Sequence, residues 1–299
     1  GGIEASMRRL AHYDYWQDKL LPSILTLSGA DMITYGMGEE VNKSLCEALL
    51  SGKKIDDITD IPQTVFLRHK NDVPGGIQED DIVLHSHEEC LKNKKAQAEN
   101  VRHIEEESNK MHAQRLLQRV GNKVVVVNPP FPPMSTESLD SVYELPFTRL
   151  PHPKYKGKRI PAYDMIHNSV NIHRGCFGGC AFCTISAHQG KFIASRSKES
   201  ILREVRKVVS MPDFKGYISD LGAPSANMYM MGGKDKSVCE KCKRPSCIHP
   251  RICKNLNTDH SPLTELYREV DKIQEVKKSF IGSGVRYDLL LHRSGNENV

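Results

Sequence analysis

The sequence has few aromatic residues, only one tryptophan, and no apolar run long enough to cross a membrane. Aromatic residues make up 6% of the chain, and no signal-peptide pattern opens it. The chain also begins without methionine, at Gly1, and its first residues are typical of a loop that follows a strand. We therefore expect an internal fragment, cut at both ends, with no membrane span within it.

What the chain does contain is consistent with an ordinary globular protein. It has 299 residues, enough for two domains, and 38% of them are hydrophobic. The net charge of +5 is a mild basic bias, which leaves nucleic acid open as a partner without favouring it. Seven of the nine cysteines fall in two tight groups, a pattern that favours metal binding in a reducing compartment over disulfides. We expect a cytoplasmic protein.

Three cysteines at C-x3-C-x2-C spacing form the first group, Cys176, Cys180 and Cys183. Gly178 and Gly179 separate the first pair, so the backbone can curl and bring the three sulfurs to one point. Three thiolates suit zinc or an iron–sulfur cluster, and a closed structural site normally takes four ligands. The trio therefore predicts a metal site with one open position. The alternatives are a zinc knuckle, or a disulfide with one spare thiol.

The flanks of this group predict a strand, a loop and a helix. Apolar residues at even spacing predict a strand over 165–173. Helical spacing over 198–210, with Ser197 as N-cap, predicts a helix behind it. The thiols then lie beyond the carboxyl end of a strand, where parallel α/β folds hold their active sites.

Along the chain, we predict three parts: an α/β domain over 1–130, a proline-rich linker over 131–162, and a repeated strand–loop–helix pattern over 163–299. In the first part, the charged segment from His87 to about Arg119 reads as one long helix behind a capping box at Ser86. His85 and His87 are candidate metal ligands there, although His-x-His at a helix start is more often incidental. In the third part, further strands are predicted over 216–221 and 279–288.

The second cysteine group lies in a short basic insertion over 237–255, which has too few apolar residues for a core. Cys239, Cys242, Cys247 and Cys253 provide four thiols, enough for a closed tetrahedral zinc site. A second [4Fe-4S] cluster, or four thiols without metal, are the alternatives, and His249 is a substitute ligand. We expect a structural role, separable from the first group.

The first cysteine group, with Phe182 before its last thiol, resembles the radical S-adenosylmethionine (SAM) superfamily. The resemblance implies a [4Fe-4S] cluster on Cys176, Cys180 and Cys183, with SAM on the fourth iron. It also implies that Gly222-Ala223-Pro224, after the second strand, holds the SAM amino group through backbone atoms, although the family's glutamate is missing here.

Further stretches resemble the YgiQ-type radical SAM proteins over nearly the whole chain. They are residues 1–6, 11–16, 35–39, 189–193 and 283–288. The resemblance implies a Rossmann-like, cobalamin-binding-type domain that lacks its first strands, followed by the first half of a radical SAM (β/α) barrel. The Asp-x-His-x-x-Gly motif of cobalamin binding is missing, so we expect no cobalamin.

Two functions are compatible with this sequence. The first is a radical SAM enzyme that takes electrons from a donor such as a flavodoxin or ferredoxin and acts on an unidentified substrate. The second is a non-catalytic binding protein in which zinc holds both cysteine groups and a basic surface contacts RNA. Iron–sulfur content separates the two hypotheses.

Overall fold

A computed structural model describes residues 1–292 of the chain. The predicted third part extends to Val299, so its last seven residues, 293–299, lie outside the described range. Every helix within residues 1–292 is too short or too polar to cross a bilayer. The α-helices, numbered along the chain, are α1 Gly2–Met7, α2 Ile24–Ser28, α3 Glu39–Leu50, α4 His87–Lys92, α5 Lys94–Ser108, α6 Thr136–Tyr143, α7 Pro161–Ile166, α8 Ile185–Gln189, α9 Lys198–Val209, α10 Lys236–Glu240, α11 Ser261–Asp271 and α12 Tyr287–Leu290.

The strands are short, and most pair in two-stranded ladders. They are β1 His12–Asp14, β2 Lys19–Leu21, β3 Met32–Thr34, β4 Thr64–His69, β5 Ile82–Leu84, β6 Leu116–Val120, β7 Lys123–Val127, β8 Ser169–Asn171, β9 His173–Arg174, β10 Ala194–Ser195, β11 Tyr217–Ile218, β12 Asp220–Gly222 and β13 Lys278–Ser279.

The described residues form two compact units. The first contains Gly1–Pro132, Gly178–Lys191 and Lys236–Ser246. The second contains Pro133–Phe177, Phe192–Asp235 and the chain from Cys247 onward. In each cysteine group, some of the cysteines therefore belong to the first unit and the others to the second.

The first unit is built on a five-stranded sheet in the order β3-β4-β7-β6-β5. Its core comprises apolar side chains from β3–β7 together with Leu10, Leu25 and Tyr35. Three of the four strand pairs are antiparallel, and only β5 and β6 run parallel. A Rossmann-type sheet is mostly parallel, so the prediction of such a sheet is wrong for the described residues. The predicted α/β character is confirmed.

The charged segment behind Ser86 is not one long helix. Ser86 does cap α4 through a capping box with Glu89, as predicted. Asn93 then takes an extended backbone conformation, ends α4 and caps α5 with its side chain. Leu116–Val120 forms strand β6, paired with β7, because its side chains fill the sheet core rather than one face of a helix.

The proline-rich stretch contains a helix that the sequence reading missed. Ser135 accepts a hydrogen bond from the backbone of Ser138 and starts α6, which buries Leu139. From α6 the Tyr143 hydroxyl donates to Asn171 on β8 at 2.9 Å, within the second unit. Residues 133–162 therefore pack with the second unit instead of forming an irregular linker.

The second unit alternates short parallel strands with helices, as predicted. Strand β12 pairs with β8, and β11 pairs with β13, both in parallel. Helix α9 begins at its predicted cap, Ser197. Apolar side chains of α9 and α11 bury the strands in one core, and residues 1–292 contain no closed barrel.

Two strand predictions in this unit are wrong at their ends. Met165 and Ile166 lie in helix α7, which Pro161 starts at a position where its missing N–H costs nothing. The predicted strand over 279–288 is a strand only at Ser279, in β13. Tyr287 and Asp288 open helix α12 instead.

Candidate functional site

The ends of two parallel strands bring the predicted SAM-contacting turn beside the strand that leads to the first thiols. Leu221 lies opposite Val170, and Gly222 lies opposite Asn171. The Ile172 N–H donates to the Gly222 carbonyl at 2.9 Å, which extends this pairing by one residue. The turn at Gly222-Ala223-Pro224 thus leaves the sheet at the same edge as the chain that runs on to Cys176.

The two strands that flank the loop of the first cysteine group pair with each other and bring its ends together. Strand β9, before Cys176, pairs antiparallel with β10, which follows the loop. Gly175 has a φ of +86°, and a Cβ there would lie 2.2 Å from the Phe192 carbonyl oxygen. Only glycine allows this approach, so Gly175 fixes where the loop begins.

Within the second unit, three of the predicted ligands border one apolar cluster. Cys176, Cys247 and Cys253 are half-buried against it. The Cys247 N–H donates to the Phe177 carbonyl at 3.0 Å. This is a contact between the two cysteine groups that the sequence did not predict. The fully buried members of the cluster are Phe177, Met228, Met231, Ile248, Leu256 and Leu289.

Within the first unit, the remaining four thiols lie in turns and at helix ends. The Cys183 N–H donates to the Cys180 carbonyl at 3.0 Å, and α8 begins shortly afterwards. Cys239 lies in α10, and its carbonyl accepts a hydrogen bond from the Cys242 N–H at 3.1 Å. Phe182, between two thiols, is 90% exposed.

The thiols are not gathered into a finished metal site in the described structure. Across residues 1–292, no group of three or more His, Cys, Asp or Glu side chains is arranged to hold a metal ion. None of the nine cysteines, all within that range, forms a disulfide. The ligand assignments therefore stay predictions that rest on thiol chemistry and spacing.

The two histidines that the sequence offered as candidate ligands bind protein groups. His85 pairs with Glu99, Nε2 to Oε2 at 2.8 Å, and His87 contacts the Leu20 carbonyl.

A buried polar network at the strand ends was missed by the sequence reading. His173 on β9 is fully buried, and its Nε2 lies 2.9 Å from the Ser225 carbonyl oxygen. Burial lowers the pKa of His173, which keeps the ring neutral. This contact ties the chain before the thiol loop to the chain just after Gly222-Ala223-Pro224. The sequence feature that could have indicated this network is the presence of polar residues directly after an apolar strand.

Asn227 extends this network to the segment after the third strand. Its Oδ1 accepts from the Arg286 N–H at 2.8 Å, and its Nδ2 donates to the Arg286 carbonyl at 2.9 Å. The Arg286 side chain forms an ion pair with Asp288, with 2.6 Å between Nη2 and Oδ2. The hydrogen bond from the Arg286 guanidinium to the Asp288 carboxylate is the main reason that the pKa of Asp288 is lowered.

In the first unit, Ser6 joins two stretches that carried the family resemblance, residues 1–6 and 35–39, to helix α8. Its hydroxyl donates to the Gly2 carbonyl at 3.0 Å and accepts from the Gly36 N–H at 2.9 Å. The same oxygen lies 2.9 Å from Nδ1 of His188 on α8. The helix behind the first thiols is thereby fixed to α1 and to the β3–α3 turn.

These features define a mixed α/β protein with a thiol-bearing loop that follows the parallel strand β8 and the short strand β9. The family model described as "Radical SAM N-terminal" matches residues 1–169, and the chain belongs to that family. The match ends before Cys176, so the thiol loop lies outside it.

Curated relatives extend the similarity over nearly all of the chain. A UPF0313 protein of Bacteroides thetaiotaomicron is 65% identical over 306 aligned residues, which cover 98% of this chain and 49% of the relative. UPF0313 proteins of Porphyromonas gingivalis and Methanocella arvoryzae are 62% and 47% identical and cover 98% and 97% of the chain. The chain spans about half the length of these relatives, 46% to 49%. The YgiQ-type resemblance is confirmed.

Proposed function

We propose that this chain is part of a radical SAM enzyme in which Cys176, Cys180 and Cys183 hold a [4Fe-4S] cluster. The adjacent ends of β8 and β12 carry the proposal, because they bring the thiol strand and the Gly222 turn to one sheet edge. When bound, the cluster supplies one electron that splits SAM into methionine and a 5′-deoxyadenosyl radical.

The residues present fit this cofactor pair chemically. Thiolate sulfur is the usual protein ligand of iron–sulfur clusters, and three such ligands leave one iron for SAM. The Gly222 carbonyl already accepts from the Ile172 N–H, so the carbonyl oxygens of Ala223 and Pro224 are the acceptors in this turn suited to the ammonium group of SAM. The order of the chain, with parallel strands, α9 and α11, is what the first half of a radical SAM barrel requires.

The chain's own residues orient the site rather than react. His173 holds the Ser225 carbonyl, and Asn227 holds the backbone of Arg286, so the strand ends keep a fixed arrangement. Fixed geometry is what radical generation needs, because the reacting bond has to be held in line with the electron source. Reduction calls for an external donor, for which we propose a small flavodoxin- or ferredoxin-type protein.

We further propose that Cys239, Cys242, Cys247 and Cys253 bind zinc or a second cluster. Their segment is basic and has few apolar residues, so metal ligation is a natural source of its stability. If both groups bind only zinc, the alternative function of a binding protein is favoured.

Anaerobic reconstitution with iron and sulfide tests the enzyme proposal. We expect a brown protein with about four irons per chain in the first group. A colourless protein that retains zinc and takes up no iron would overturn it. As a second measurement, SAM added to the reduced protein should change the electron paramagnetic resonance (EPR) spectrum of the cluster.

A further inference from the structure

Two segments of the first unit lie against each other. One is the thiol loop, Gly178–Lys191, and the other is the second cysteine segment, Lys236–Ser246. The contact begins at the start of the thiol loop. Ser246 is buried, and its hydroxyl donates to the Gly178 carbonyl at 2.8 Å. Gly179 has a φ of +59°, and a Cβ there would lie 2.9 Å from both the Pro245 carbonyl oxygen and the Ser246 Cβ. The close approach of the two segments therefore requires glycine at position 179.

The same segment also holds the end of the loop. Lys191 is 1% exposed, and its ammonium group donates to the Arg244 carbonyl at 2.7 Å. The ammonium nitrogen also lies 3.7 Å from the Cys242 sulfur. A buried ammonium has to be compensated by acceptors, so these contacts are more than incidental packing. Residues 242–246 thus contact both ends of the loop Gly178–Lys191, all within the first unit.

The Ser246 contact determines the direction of a peptide group inside the loop. The peptide bond between Gly178 and Gly179 is trans, so its C=O and N–H point in opposite directions. Since Ser246 binds the carbonyl, the Gly179 N–H is turned away from the second cysteine segment. In residues 1–292 no acceptor is found for the backbone N–H of Gly178 or Gly179. Consecutive N–H groups at such turns form sites for anions and iron–sulfur clusters.

We propose that Ser246 is a positioning residue for the cluster, and that segment Lys236–Ser246 is the support on which the thiol loop is shaped. This inference rests on the proposed cluster at Cys176, Cys180 and Cys183. By holding the Gly178 carbonyl, Ser246 leaves the Gly179 N–H to donate to sulfur of the cluster. The second cysteine segment is then coupled to the first group, in contrast to the separable role expected from sequence.

The Ser246→Ala variant tests the proposal in the reconstituted protein. Hydrogen bonds to cluster sulfur stabilise the reduced form, so their weakening shifts the reduction potential. We expect Ser246→Ala to keep its iron, with a midpoint potential more negative than wild type and an altered EPR spectrum. Ser51→Ala is the matched control, because it removes an exposed serine-to-carbonyl hydrogen bond in the same unit. A Ser246→Ala potential equal to or more positive than wild type would overturn the proposal.

A measurement on the metal-free protein separates this inference from the proposed function. Amide hydrogen exchange over residues 177–183 should be about fivefold faster in Ser246→Ala than in wild type, since one hydrogen bond is lost. Ser51→Ala should leave that exchange unchanged. Unchanged exchange in Ser246→Ala overturns the positioning role even if the cluster forms. Failure of the wild type to bind iron overturns the proposed function, while the exchange experiment still decides whether Ser246 shapes the loop.

Discussion

Ser6 and His188 are 182 residues apart in sequence, yet the Ser6 hydroxyl oxygen lies 2.9 Å from Nδ1 of His188. Because that hydroxyl donates its proton to the Gly2 carbonyl, the contact requires His188 to donate through Nδ1. The N-terminal helix thereby holds the helix that follows Cys183.

We predict that acid weakens the fold through His188, because burial and the Arg9 charge disfavour the protonated ring, while its Nδ1–H contact with Ser6 is kept. The pKa of His188 is lowered from its usual 6.5, first by burial and then by the Arg9 charge. A lowered folded-state pKa gives stability that is complete above about pH 6.5 and is lost as the pH falls through the folded pKa. The free energy of unfolding should therefore decrease between pH 7 and pH 5 in urea titrations.

The contribution of His188 can be isolated with His188→Asn, which keeps a donor near the Nδ1 position and does not titrate. Its free energy of unfolding should fall less between pH 7 and pH 5 than that of wild type. Part of the dependence will remain, because burial also lowers the pKa values of His12, His173 and His260. An identical pH profile for the two proteins would contradict this role for His188.

Replacing any one thiol of the first group should abolish its cluster. Two thiolates do not hold three irons, so Cys180→Ala should lose the iron that the wild type takes up on reconstitution. Cys46→Ala is the control, since Cys46 is exposed on α3 and belongs to neither cysteine group. Full iron content in Cys180→Ala, measured by chemical iron and sulfide assays, would refute the ligand assignment.

The second group should keep its own metal when the first is removed. In the triple variant Cys176→Ala, Cys180→Ala, Cys183→Ala, we expect about one equivalent of zinc, as a closed four-thiolate site requires. Elemental analysis after purification without chelators makes the measurement. Several equivalents of iron would favour a second cluster instead, and a metal-free protein would contradict any metal site there.

In the second unit, the ion pair between Arg196 and Glu204 should be important for stability. Arg196 is 1% exposed, and it also donates to the Asn171 carbonyl at 2.8 Å and to Ser200 at 2.9 Å. Arg196→Met leaves a mostly buried carboxylate with less compensation, which should reduce the free energy of unfolding by about 3 kcal/mol.

A surface ion pair in the same unit provides the control. Arg203 and Glu144 are each about half exposed, at 51% and 49%, and Arg203→Met should cost less than about 1 kcal/mol. Urea denaturation of both variants gives the comparison. Equal losses would mean that burial does not set the strength of the Arg196 pair.

Local signals allowed part of this fold to be predicted. The caps at Ser86 and Ser197 were correct because a cap depends on residues within one turn of it. The long helix was wrong because Leu116–Val120 is a short apolar run, and such runs fit a strand or a helix equally well. Helix α6 was missed because the surrounding prolines dominated the composition of its segment.

The candidate site was only half predictable for a similar reason. The thiols and the Gly222 turn carry recognisable motifs, but Asn227 and Ser246 act through residues far along the chain. Asn227 binds Arg286 across 59 positions, and Ser246 binds Gly178 across 68. No periodicity or spacing rule reports a contact of that range, since it is produced by the packing of the whole unit.

The 68-residue separation of Gly178 and Ser246 also sets an order of events during synthesis. At roughly 5–20 residues per second, a ribosome needs several seconds to add Ser246 after the first thiols have been made. Throughout that interval the nascent thiol loop lacks the hydrogen bond from Ser246. An iron donor that acts on the growing chain therefore meets a looser loop than one that acts on the finished protein.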